Sequence, residues 1–74
     1  MNRMANALRD AEYDLDNAGE KDLAFDAWQL KRKLEKDPEY VPTRLERSSL
    51  ADMEWSGKLM DDRAIKELAR RRDP

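Results

Sequence analysis

The spacing of its apolar residues constrains this chain more than any other feature. Met1, Met4, Leu8, Ala11, Leu15 and Ala18 follow one another at intervals of three, four, three, four and three residues, which places them on one helix face. Leu23, Ala27, Leu30 and Leu34 repeat at four, three and four. Leu50, Met53, Met60, Ala64 and Leu68 form a third stripe, with Gly57 on the same face. The expected fold class is therefore all-α.

Two interruptions divide the pattern. Asn17-Ala18-Gly19 reads as a helix stop, because glycine adopts the left-handed conformation that closes a helix without steric cost. Asp37-Pro38 reads as a second stop, because the residue before proline avoids helical geometry. The expected elements are helix 1 over about 2–17, helix 2 over about 20–36, a linker over 37–42 and a C-terminal helical region over about 43–72. The short gap after Gly19 forces the first two helices into an antiparallel hairpin.

Two starts compete for the third helix. Thr43-Arg44-Leu45-Glu46 and Ser49-Leu50-Ala51-Asp52 both resemble a capping box, the first with the better acid. Ser56-Gly57 can split the region, which gives either a three-helix bundle or four short helices in one small domain. The expected core is Met4, Leu8, Ala11, Leu15, Leu23, Ala27, Trp28, Leu30, Leu34, Leu50, Met53, Met60, Ala64, Ile65 and Leu68.

Chemistry is scarce in this inventory. The 74 residues include no histidine and no cysteine, so the commonest general base, the commonest metal ligand and the thiol nucleophile are all missing. Asp14, Asp16 and Gly19 match positions 1, 3 and 6 of a calcium loop. Position 5 is Ala18 and position 12 is Phe25, so two ligands fail. Asp61/Asp62 and Asp10/Asp14 lie off the apolar stripes. Ser48, Ser49 and Ser56 have no base at motif spacing, and no phosphate loop is present. The expectation is a non-enzyme with no catalytic residue, metal or cofactor. No apolar run approaches the ~20 residues of a membrane span, and the N-terminus leads into no signal-peptide core. The default location is cytoplasmic.

Charge is polarised. Between Asp10 and Asp26 seven acids (Asp10, Glu12, Asp14, Asp16, Glu20, Asp22 and Asp26) face one base, Lys21, a net of −6. A hairpin gathers them at its turn end. Asp10/Asp14, Glu12/Asp16 and Asp22/Asp26 repel at i, i+4, and Asp14 and Asp16 sit where the helix dipole disfavours them. Broken local rules of this kind often mark a functional surface. Bases concentrate at the end of helix 2 and at Arg70, Arg71 and Arg72. The whole chain nevertheless carries −2, far from the basic footprint of a nucleic-acid binder.

Phe25 and Trp28 lie opposite the helix 2 stripe, and Trp55 and Leu59 lie away from the third stripe. A helix apolar on two sides is either sandwiched or carries an interface. The sandwich is expected, with helix 2 between helices 1 and 3 and both Phe25 and Trp28 in the core, because so small a chain needs its aromatics.

These features favour a small protein-binding module, an inhibitor or adaptor whose acidic end occupies a basic, nucleic-acid-binding surface of a partner protein. Accessory proteins of phages and mobile elements that act on host or defence machinery are the expected class. Two alternatives remain. One is a homo-oligomeric structural or regulatory module joined through Phe25, Trp28, Trp55 and Leu59. The other is nucleic-acid binding through Arg70, Arg71 and Arg72.

Overall fold

The computed structural model describes residues 3–55 and 62–71. Helices α1 (Arg3–Asn17), α2 (Lys21–Lys36), α3 (Arg44–Trp55) and α4 (Asp62–Arg70) follow in order, with no strand among the described residues. The chain is thus all-helical, and the C-terminal region holds two helices rather than one. Ser56, Gly57, Leu59 and Met60, between them, lie outside the described residues, as does Arg72.

Gly19 closes α1 as the sequence indicates. Its φ is +82°. The Glu20 N–H donates to the Leu15 carbonyl at 2.8 Å and the Gly19 N–H to Asp16 at 3.1 Å. Those two bonds are the paired closure of a Schellman motif, which satisfies carbonyls that the helix end would otherwise leave unbonded.

The α2–α3 linker is held by its own short side chains. Asp37 Oδ1 accepts from the Glu39 N–H at 3.1 Å, and the Tyr40 N–H donates to the Asp37 carbonyl at 3.0 Å. Pro38 suits such a turn because its ring presets φ. The first of the two competing capping boxes then opens α3. The Glu46 N–H donates to Thr43 Oγ1 at 3.2 Å, and the Thr43 N–H donates back to Glu46 Oε1 at 2.8 Å. Ser49 lies inside the helix, and its hydroxyl donates to Asp26 Oδ2 of α2 at 2.9 Å.

Interhelical contacts fix the directions. Lys31–Glu12 and Lys21–Asp16 join α1 to α2 with opposite sequence order. Lys33–Glu46 and Asp26–Ser49 do the same for α2 and α3. α1 and α2, and α2 and α3, are thus antiparallel, and α4 packs on both α3 and α1, so the four helices close a ring around one core. Leu8, Leu15, Leu30, Leu34, Leu50, Met53, Ile65 and Leu68 fill it, each almost fully buried. Burying each such side chain stabilises by about 1.5–3 kcal/mol relative to exposure.

The ring corrects the expected core. Trp28 is only half-buried and Phe25 is 55% exposed. α2 does pack on both α1 and α3, but through the flanks beside its leucine stripe, so Phe25 stays outside and Trp28 reaches only the edge of the α1–α2 groove. Met4 and Leu23 are partly buried at the core's edge rather than inside it. Ala18, on the α1 stripe in sequence, lies just past the helix end and is exposed. In their place Ala5, Ala7 and Ala24 are buried, small residues where helices approach closely.

Candidate functional site

Five of the seven acids divide among three surfaces, and Glu20 and Asp22 stand at the start of α2. Asp10 and Asp14 continue the α1 row that starts at Arg3, whose guanidinium pairs with Glu67 of α4 at 2.9 Å. Glu12 and Asp16 fall on the opposite flank, toward α2, where each meets a lysine. Lys31 Nζ lies 3.4 Å from Glu12, and Lys21 Nζ lies 2.5 Å from Asp16. The repulsion that Glu12 and Asp16 exert along α1 is therefore offset by charges from α2. Asp26 faces α3, where it accepts the Ser49 hydroxyl. Asp14, Glu20 and Asp22 have no ion-pair partner among the described residues, and Asp10 has only Arg9 at 3.9 Å.

Between α1 and α2 runs an open groove of about 370 Å³. Phe25 and Trp28 stack on its α2 side, ring centres 5.8 Å apart and planes inclined by 21°. The Arg32 guanidinium covers the Trp28 ring at 5.2 Å, a cation–π contact. The aromatic pair thus forms a platform with Glu12 and Asp16 beside it. Trp55, at the end of α3, is 92% exposed, and Leu45 is 82% exposed on the same helix.

Bases occupy separate roles. Arg71 Nη1 donates to the carbonyls of Pro38 at 2.8 Å and Tyr40 at 2.9 Å, which ties the end of α4 to the α2–α3 linker. Arg70 is exposed in the last turn of α4, where positive charge suits the helix dipole.

One polar cluster was not legible as a unit in the sequence. Glu46 accepts from the Tyr40 hydroxyl at 2.6 Å, from Lys33 Nζ at 2.7 Å and from the Thr43 N–H. Burial alone would raise the Glu46 carboxyl. The donors from Lys33, Thr43 and Tyr40 outweigh it and hold the group below its ordinary 4.5. The bond to Glu46 raises Lys33, and burial, followed by the same carboxylate, raises Tyr40. Thr43-x-x-Glu46 was a visible signal, but Tyr40 and Lys33 meet it only through the turn at Pro38. Lys33, Thr43 and Glu46 line a half-open pocket of about 270 Å³ between α2 and α3, but their polar atoms are spent on one another and on the helix start, so the cluster reads as structure.

Among the described residues no group of three or more acids could hold a metal ion, and no helix is long and apolar enough to cross a membrane. Compared with known proteins, the chain matches no family model, no curated protein and no solved structure.

Proposed function

We propose that this chain is a non-enzymatic protein-binding module whose acidic hairpin end occupies a basic surface on a partner protein. One observation carries the reading. Glu20 and Asp22 stand where α1 turns into α2, with Asp14 in the last turn of α1 on its other flank, and none has an ion-pair partner among the described residues, whereas Glu12 and Asp16 are paired. Carboxylates left free in this way raise the on-rate for a positive surface and compete there with phosphate groups. Such a surface is one that normally binds nucleic acid, and an inhibitor or adaptor would act by covering it.

The test is capture from nuclease-treated source-cell lysate by the wild type and by Glu20→Gln/Asp22→Asn. The expected result is a partner retained by the wild type, weakly held by the variant and released by salt. A captured partner bound equally by both, with no salt dependence, would contradict the proposal.

A further inference from the structure

We propose that the outer face of α2 pairs with the same face of a second copy of this chain, antiparallel, about the Phe25–Trp28 stack. The inference rests on the layout of that face and does not depend on the proposed basic partner.

The face has an aromatic centre and oppositely charged ends. Phe25 lies on the side of α2 away from Leu30 and Leu34 and is more than half exposed, and Trp28, one turn on and half-buried, stacks on it at the edge of the α1–α2 groove. Toward the hairpin turn, Asp16 and Lys21 neutralise each other, which leaves Glu20 and Asp22. Toward the other end, Lys31 is engaged by Glu12, and Lys33 turns to Glu46 of α3. Arg32, lying over the Trp28 ring, and Lys36 are the exposed bases there that no carboxylate among the described residues engages, with Glu35 between them.

The spacing makes this arrangement complementary to itself. Asp22 and Arg32 lie about 7–8 Å on either side of the centre of the aromatic pair, along a helix that rises ~1.5 Å per residue. A two-fold axis through that centre sets the exposed Phe25 beside the second copy's Trp28, at the ring edge that its own Phe25 and Arg32 leave open, and Asp22 opposite the second copy's Arg32, twice over. This is the isologous form of interface that symmetric dimers use. A parallel pairing would set acid on acid and base on base. A wholly basic partner would meet Arg32 and Lys36 at one end, so the face as a whole fits a copy of itself better.

Asp10 and Asp14 lie on the far flank of α1, outside the pairing. Glu20 and Asp22 belong to both surfaces, so a basic partner would compete with self-association. The contact is small, below the size of most permanent interfaces, and the expected dissociation constant is about 10–100 μM.

The experiment uses the full chain at low salt. Sedimentation equilibrium should show a monomer–dimer equilibrium in that range, weakened by added salt. Phe25→Glu should raise the dissociation constant by at least about tenfold while its helical circular dichroism is retained. Orientation is read by cross-linking, because the native chain has no cysteine. A short bismaleimide should join Lys21→Cys to Arg32→Cys in a mixture of the two variants, and neither variant to itself. A monomer at every concentration would overturn the proposal and leave the face to a different protein. Cross-linking of Lys21→Cys to itself would overturn the antiparallel arrangement.

Discussion

Replacing Glu46 with alanine should be the most damaging single change to a polar residue of this chain. The carboxylate is only 15% exposed and accepts three donors. The half-buried Tyr40 hydroxyl would lose a charged acceptor 2.6 Å away, a loss of about 1.5–3 kcal/mol. The Thr43 N–H would lose half of a capping box, about 0.5–1 kcal/mol. Lys33 is 47% exposed, so its ion pair adds at most about 1 kcal/mol. One carboxylate serves all three donors and the losses overlap, so the expected total is about 2–4 kcal/mol. A core of this size rarely supplies more than about 3–5 kcal/mol, so Glu46→Ala should be close to unfolding. Urea denaturation followed by far-UV circular dichroism measures the change. Tyr40→Phe should cost about 1–2 kcal/mol in the wild type and little in Glu46→Ala, since its acceptor is already gone. A Glu46→Ala variant within about 0.5 kcal/mol of wild type would refute the reasoning.

Two further predictions concern pH and the hairpin turn. Glu46 binds its proton less tightly in the folded chain, so its contribution is complete above 4.5 and is lost as pH falls through the lower folded value. Lys33 and Tyr40 are raised from 10.5 and 10.0, so their contribution is present below about 10 and lost as pH rises past it. Denaturation midpoints across pH should show both limbs, with the acid limb reduced in Glu46→Gln. Gly19→Ala should cost about 1–2 kcal/mol although open space surrounds the position, because the strain lies in φ +82°. Gly19→Asn should cost less, and equal thermal midpoints for Gly19→Ala and wild type would contradict the Schellman closure.

How far the sequence revealed the fold depends on how local each signal is. The 3–4 spacing, Gly19 and Thr43-x-x-Glu46 act within one or two helix turns; Gly19 and Thr43-x-x-Glu46 stand where expected, and the centre of each stripe is buried, while Met4, Ala18 and Leu23 at the stripe ends are not. Phe25 and Trp28 lie outside the expected core because their burial depends on what lies across α2. The apolar pattern shows that α2 has a second apolar side, but not whether a third layer covers it. α1 and α3 pack on the flanks beside the leucine stripe, which leaves Phe25 outside. The acids show the same limit. Their repulsions along α1 were legible, whereas the lysines that relieve Glu12 and Asp16 come from the other helix of the hairpin. Arg71 belongs with them, since its carbonyl acceptors lie 31 and 33 residues earlier in the chain.

Four helices share a single core and leave the aromatic face of α2 outside it. The most direct measurement is the unfolding free energy of Phe25→Ala at a concentration where the chain is monomeric. A surface position predicts a cost below about 1 kcal/mol with the fold retained. A loss of about 3–5 kcal/mol, the cost of emptying a core phenylalanine, would contradict the claim and return α2 to a sandwiched layer.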